Sequence, residues 1–476
     1  MRKNILKPIL SALLIVSVLG ACTSEFEEMN IDPNSASSVP TAYLMTQAQR
    51  SAIDEIDGSL SPFMAALYCQ HWSQTQYTST SRYETEIRSF NSFYYSSLAD
   101  FEEIIRLNTD EATKLEMQSS GPNHNQIAVA RIMKAYEFQN ITDTWGDVPY
   151  SEALQGRGDF TPAYDTQKDI YTDLVKEVKE AVAQIEVGEP IAGDIIFEGD
   201  MAMWKKFGNA LLMRMGLRMS EVDAAAAKAA IEAGMAGAIS SNDDNALFPY
   251  LADANNWNPI YDHFVERTDY AISDIMVDVM KGLSDPRLDV YADPNDAGEI
   301  VGMPYGVSDD IAGSITNASI SFPGAAVRGA ESKGLIMTYA EVLFIKAEAA
   351  ARGMIAGDPK ALYEEAIAAS FDQWGVDMPA GYLTQADVAY DAANPVESII
   401  NQKWIALYMQ GMEGWSDFRR TGYPELSPAP AAAAGRSIPN RRAYTNDEYS
   451  LNEENVVAAV ARQGADDMAT KMWWQK

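Results

Sequence analysis

The sequence predicts a mainly α-helical protein built from paired helices, with long irregular insertions between the pairs. Three observations predict it. Apolar residues recur at helical spacing through most of the chain from Thr41 onward. The helical stretches come as neighbours joined by short turns, several rich in Ala. Runs rich in Gly, Asn, Asp, Pro and aromatics separate the pairs.

The first residues belong to processing rather than to the fold. Arg2, Lys3 and Lys7 form a positive start, and ILSALLIVSVLG is an apolar run too short to cross a membrane comfortably. It ends in Leu19-Gly20-Ala21-Cys22, which resembles a bacterial lipobox. Residues 1–21 are therefore expected to be a signal peptide, with cleavage before Cys22 and lipidation of that residue. The alternative is an ordinary signal peptide with Cys22 left free. A lipidated Cys22 anchors the protein to a membrane without spanning it. It also leaves Cys69 without a disulfide partner. Residues 22–40, acidic and then rich in Ser, Asn and Pro, read as an extended tether. Residues 41–476 then form the folded domain.

Charge narrows the partners. The full chain carries a net −32, and removal of the leader makes it −35. A nucleic-acid surface needs the opposite sign. Strong acidity favours solubility and repels anionic surfaces, and it is compatible with uncharged ligands.

The helical pairs follow in order. Residues 126–142 and 167–185 form the first, and 201–219 with 222–236 the second. In 201–219, Trp204, Phe207, Leu211 and Met215 share one face. The third is TYAEVLFIKAEAAARG (338–353) with DPKALYEEAIAASF. There Tyr339, Val342, Leu343, Ala347 and Ala350 form one stripe, and Asp358 is placed to cap the second helix. The fourth begins with the helical stretch 397–415. Ala-rich pairs of this kind resemble tetratricopeptide units, but they are not tandem, so a plain solenoid is not expected. The insertions 241–334 and 373–395 are where function is to be sought.

Catalytic and metal motifs are absent from the sequence. Histidine stands only at 71, 124 and 263, and there is no HExxH, CxxC, GxSxG or GxxxxGK[ST]. GRGDFT at 156 lacks the third Gly of a dinucleotide loop. Residues 293–298 start like a calcium loop but fail it, with Pro304 at the closing position. No cofactor is expected, and a structural calcium ion has no motif behind it. Nothing selects a glycosidase pair among 68 carboxylates.

Five stretches now coincide. They are CTSEFEEMNIDPN, NITDTWGDVPYSEA (140–153), TYAEVLFIKAEAAARG, QKWIALYMQGMEGWSDFRRTGYP (402–424), and the tail RSIPNRRAYTNDEYSLNEENVVAA with its terminal WWQK. Together they resemble the SusD/RagB family of nutrient-binding outer-membrane lipoproteins, in its SusD-like branch. The resemblance runs from Cys22 to the last residue. It implies four tetratricopeptide-like helix pairs forming a curved superhelical scaffold, with loop-rich insertions building the ligand face. It implies a non-catalytic lid on a SusC-like TonB-dependent outer-membrane channel, capturing an oligosaccharide or a peptide. Glu25, Glu27 and Glu28 after Cys22 resemble the surface-export signal of such lipoproteins, which implies the outer face of a Gram-negative outer membrane.

A sugar ring offers an apolar C–H face and an edge of hydroxyls. Aromatic rings suit the first, and Asn, Asp, Gln and Arg suit the second. Two stretches have this composition: CQHWSQTQYTSTSRYE (69–84) and NNWNPIYDHFVERTDY (255–270). The candidate contacts are Trp72, Tyr77, Asn255, Asn256, Trp257, Arg267 and Tyr270. Trp72 is equally readable as the buried end of the helix LSPFMAALYCQHW. Ile260 and Phe264 read as core anchors. Asp269 reads as the cap of a helix starting near Ala271, or as a partner that holds Arg267. WGDVPY reads as structural or as channel contact, and Trp404 and Trp415 as core. Arg419, Arg420, Arg441 and Arg442 read as neutralising clustered carboxylates. Two rival classes stand beside the lid: a surface-anchored glycoside hydrolase, and a helical adaptor that binds protein alone.

Overall fold

Helix follows helix, and several segments carry their own start signal. The computed structural model describes residues 39–84 and 87–476. The leader, Cys22 and all but the last two residues of the tether lie outside these. Residues Thr41–Lys476 pack as one compact unit. Helix α1 (Thr41–Glu55) packs on α2 (Ala99–Thr109), a pairing that the sequence did not single out. Next come α3 (Asn123–Trp145) with α4 (Gln167–Gln184), and α5 (Met201–Arg218) with α6 (Ala224–Met235). An insertion follows that carries α7 (Pro259–Glu266) and α8 (Asp274–Gly282). The chain returns to the scaffold with α9 (Tyr339–Ala351) against α10 (Pro359–Gln373), then α11 (Pro395–Ala406) and α12 (Gly411–Thr421). The expected helix pairs are all present. Thr166, Asp200, Asp223, Thr338 and Asp358 each accept a backbone N–H in the first turn of the helix they precede.

The apolar stripe expected on α9 is too narrow a description. Val342 to Ile345, Ala347 and Ala349 are all buried, and so are Glu341 and Glu348. The helix runs through the interior, and its acids meet bases from other helices. Arg214 of α5 pairs with Glu341 at 2.7 Å. Arg218, one turn on, pairs with Glu413 of α12 at 2.6 Å and with Asp143 of α3 at 3.2 Å. Arg420 of α12 contacts Glu348 of α9 and Asp417, and Lys403 of α11 reaches Asp417 at 2.7 Å. Of the four arginines expected to neutralise carboxylates, Arg420 does so here and Arg441 does so with Asp466 at 3.0 Å. Arg419 instead lies 3.5 Å over the Trp415 ring and donates to the carbonyls of Asp143 and Asn440. Arg442 donates to the Tyr68 hydroxyl and the Ile87 carbonyl.

One expected helix is interrupted and another starts late. The stretch 397–415 breaks after Ala406, and Met409 takes a left-handed φ of 74° before α12 starts. Close approach is the reason. The Gly411 N–H donates to Ser61 Oγ at 3.1 Å, and a side chain at Gly411 would come within 2.4 Å of the Ser61 carbonyl. The segment it abuts, Ile56–Ala65, winds in wide π-type turns around Pro62, which has no N–H to give. The helix expected to begin near Ala271 is present but starts later, at Asp274. Tyr270–Ile272 is a strand, β5, and α8 starts only after Ser273, whose side chain caps it. The partner of β5 is β1 (Trp72–Gln74), so sheet pairing claims the residues that local pattern gave to a helix. Two more two-stranded ribbons complete the described residues: β2 (Val148–Pro149) with β3 (Tyr164–Asp165), and β4 (Ala246–Phe248) with β6 (Gly334–Met337).

The WGDVPY turn is structural. Trp145 is fully buried, with its Nε1 donating to the Arg88 carbonyl at 2.9 Å. Tyr150 donates to Asp173 at 2.8 Å. Trp404 and Trp415 are core, as expected.

Two outcomes follow from the interior charges. Glu413→Gln removes the carboxylate that Arg214 and Arg218 share and leaves buried cations undercompensated. Chemical denaturation at pH 7 should show a loss of about 3–5 kcal/mol; a loss below about 1 kcal/mol would remove the network from the account of stability. Glu137 of α3 is the opposite case. Burial pushes its carboxyl well above the usual range, with only the Ser97 hydroxyl donating to it. The folded state holds a proton there that the unfolded chain releases, so this group costs stability increasingly as pH rises above the unfolded carboxylate value. Glu137→Gln should therefore melt higher than the parent at pH 8 and alike at pH 4. A gain of equal size at both values would contradict this reading.

Candidate functional site

The β1–β5 ribbon joins the two stretches that the sequence nominated. Its antiparallel register sets Trp72 opposite Ile272 and Gln74 opposite Tyr270. The chain leaving β1 and the chain entering β5 therefore run side by side. Thr75 seals them, its N–H donating to the Asp269 carbonyl at 2.8 Å and its hydroxyl to the Thr268 carbonyl at 2.6 Å. Asp269 is buried and accepts from Arg267 Nε at 2.5 Å and from the Gln76 amide. Of the two readings of Asp269, the structure supports the partner of Arg267; the cap of α8 is Ser273.

Tyr77 and Arg267 come together at the end of this ribbon. Tyr77 is 65% exposed in a left-handed backbone conformation, φ 52°. The Arg267 guanidinium lies 5.2 Å from its ring centre. Their contact holds an exposed aromatic face beside an exposed cation. Behind them Tyr270 is half-buried among rings: Phe63 at 5.0 Å, His263 at 5.1 Å and Trp72 at 6.1 Å between centroids. A third loop closes in. Asp309 accepts from both the N–H and the hydroxyl of Thr78, and Asn317 donates to Thr268 Oγ1 at 2.8 Å.

Trp72 is not on the face. It is fully buried, and its Nε1 donates to the Tyr408 hydroxyl at 3.1 Å. All three residues of β1 are buried, and the Trp72 ring packs against Phe63 and Tyr270, so it supports the face from below. Asn255, Asn256 and Trp257 sit at the opposite end of α7, about 12 Å away along eight helical residues. Asn255 is exposed. The Asn256 amide is committed to closing its own loop through two bonds to Asp253, at 2.7 and 2.9 Å. Trp257 is half-buried edge-on to Tyr261, 5.1 Å between centroids. These three do not join the Tyr77 cluster. Ile260 is buried, and Phe264 is half-buried against Phe322 with the Arg328 guanidinium 5.8 Å from its ring. Sequence reasoning missed Gln76, Asp309 and Asn317, whose roles come from contacts across long separations that no local signal carries.

Two of the three histidines, His71 and His124, serve elsewhere. His71 is buried on the Trp404 carbonyl at 2.9 Å, and burial pushes it down to about 3. His263 belongs to the ring cluster. His124, with Glu186 and Glu189, makes the one group with metal-ligand spacing among the described residues. Both acids are exposed, a composition common without an ion.

Trp72 and Tyr77 should therefore separate on mutation. Trp72→Ala should cost about 3–5 kcal/mol in denaturation, the scale of a large buried ring. Tyr77→Ala should leave the melting temperature within about 1 °C, as an exposed side chain does. Equal losses for the two would misplace the face.

Comparison with known proteins covers most of the chain. A model of the SusD-like family, described as starch-binding and associating with the outer membrane, matches residues 33–445. No curated protein matches the chain. Among solved structures, one described as a chitin-binding protein is 28% identical, with a TM-score of 0.79, over 92% of this chain and all of its own. A chitin-binding SusD homolog from Flavobacterium johnsoniae is 25% identical, with a TM-score of 0.74, over 92% of this chain and 97% of its own. A SusD homolog from Bacteroides uniformis, 24% identical, shares the fold with a TM-score of 0.78 over 92% of this chain and all of its own.

Proposed function

The chain belongs to the SusD-like family of outer-membrane-associated, starch-binding proteins, and we propose that it is a surface lipoprotein that captures a neutral oligosaccharide and passes it to a SusC-like TonB-dependent channel in the same membrane. The observation that carries the ligand class is the pairing of Tyr77 with Arg267. An exposed ring held by an exposed guanidinium offers an apolar plane and directed donors within one sugar's reach. Anchorage through Cys22 rests on the lipobox, and delivery to a channel rests on family membership.

The reading is of binding without catalysis. Asp269 is buried and engaged by Arg267 and Gln76, so it holds the loop, and Asp309 is bound by Thr78. A peptide could use the same ring and cation, but the two relatives described as chitin-binding favour a glycan. Chitin and starch oligosaccharides are therefore the first probes.

Calorimetric titration should give saturable binding with one of these series. Tyr77→Ala should weaken it about tenfold, close to 1.4 kcal/mol, the scale of one lost ring contact. Arg267→Ala should weaken it with no change of fold. Peptide binding in place of glycan binding would replace the ligand class. Glycan hydrolysis that a single carboxylate substitution abolishes would replace the reading altogether.

A further inference from the structure

A pocket of about 120 Å³ opens beside Asp147 of the WGDVPY turn and shares no residue with the Tyr77 face. Three segments meet there: the first turn of α4, the end of a C-terminal helix, α13 (Glu453–Gln463), and the residues from Lys471 to Lys476. The lining holds four bases, Lys168, Arg462, Lys471 and Lys476, against one acid, Asp147. The whole chain has 68 acids to 36 bases, so the sign of the charge is reversed here.

The one acid is already engaged. Asp147 is buried, and its Oδ1 accepts from the Gln167 N–H at 2.9 Å. Its Oδ2 accepts from Arg462, at 3.0 Å from Nε and 2.9 Å from Nη2. Gln463 completes this wall. Its Oε1 accepts from the Asp147 N–H at 3.1 Å, and its Nε2 donates to the Tyr444 hydroxyl at 2.7 Å. The tail is fixed to the same wall, because the Trp473 N–H donates to Gln167 Oε1 at 2.8 Å. That bond brings Lys471 to the pocket that Lys168 lines from the first turn of α4.

The lysines divide into held and unheld. Lys476 Nζ donates to the Gln463 carbonyl at 3.1 Å. Lys168 and Lys471 are both exposed, and among the described residues neither ammonium has an ion pair or a hydrogen bond. Elsewhere Lys114, Lys134, Lys176 and Lys206 each meet a carboxylate.

This surplus selects the ligand. Arg462 is matched by Asp147, so even with Lys476 set aside two ammoniums stand in excess. The positive end of α4 adds to them. Ammonium groups donate and do not accept. A cation is repelled, and a neutral hydroxyl accepts a bond but leaves the charge standing. A carboxylate answers one of the two charges. A phosphate monoester carries close to two negative charges at neutral pH and three acceptor oxygens, which answers both. The volume is far below the roughly 300 Å³ at which sites begin to enclose a whole small molecule. It suits one phosphate group, with the remainder of its carrier outside.

We propose that this pocket is a second binding site, for a phosphate monoester group held between Lys168 and Lys471. It stands whether or not the Tyr77 face binds a glycan.

The test is calorimetry at low ionic strength with glycerol 3-phosphate, beside glycerate and glycerol. None of these has a sugar ring, so the Tyr77 face is not being read. Glycerol 3-phosphate should bind saturably, glycerate about tenfold more weakly, and glycerol not at all. Cosedimentation with phosphatidylcholine vesicles, with and without phosphatidate, reads the same group on a lipid. Binding of the soluble ester alone would name a free phosphate ester as the source, and binding of phosphatidate vesicles alone a lipid headgroup; either supports the site. The double variant Lys168→Gln with Lys471→Gln should weaken the phosphate about tenfold, the combined scale of two exposed charge contacts. It should melt within about 1 °C of the parent. Lys168→Arg with Lys471→Arg should keep the binding, since a guanidinium serves phosphate equally. Tyr77→Ala should titrate like the parent. The proposal falls if neither glycerol 3-phosphate nor phosphatidate is bound, or if glycerate matches the phosphate. It also falls if the glutamine pair binds like the parent, or if Tyr77→Ala abolishes the binding, which would place the phosphate on the other face.

Discussion

The buried ion network at the centre of the helix stack is what the rest of the structure depends on. Arg214 and Arg218 of α5 reach Glu341 on α9, Glu413 on α12 and Asp143 on α3. Arg420 and Lys403 extend the pairing to Glu348 and Asp417. Helices far apart in sequence are thereby held in one register. Apolar packing tolerates sliding by small steps, but a buried charge displaced from its partner does not. The aromatic hydrogen bonds follow the same logic. Tyr171 and Trp474 both donate to Asp143, so the C-terminal residues are tied to the carboxylate that Arg218 neutralises.

The network also reconciles a strongly acidic chain with a charged core. The interior sites pair acid with base, so the excess of acid falls mainly on the outside. An anionic exterior keeps the protein off other anionic surfaces and leaves neutral ligands unopposed. The Tyr77 face is built on this frame by a short lever. β1 follows directly from the wide-turned segment that α12 abuts, and Trp72 is bonded to Tyr408 in the turn between α11 and α12. The exposed ring is thus a few residues from the most constrained part of the molecule, and its left-handed backbone is held by neighbours on both strands.

Much of this was legible in the chain, and what was not has physical causes. The helix pairs were readable because their apolar residues repeat at 3.6 and their caps are local. Their polar interior was half readable: paired arginines promised clustered carboxylates, but the apolar stripe read from periodicity did not include the buried Glu341 and Glu348. β5 was unreadable, because three residues carry no period and its partner lies almost two hundred positions earlier. Trp72 was balanced between core and face because pairing decides which way a strand residue points. Asn256 looked like a free hydrogen-bonding group, whereas the turn that contains it consumes its amide. The Tyr77–Arg267 contact joined two stretches nominated for composition alone, which composition could not place side by side.

A protein that captures a glycan and hands it on, as proposed above, must bind and also release. The Tyr77 ring is mostly open to water, so contacts made there are screened and exchange quickly. That suits first contact with a long, repetitive ligand.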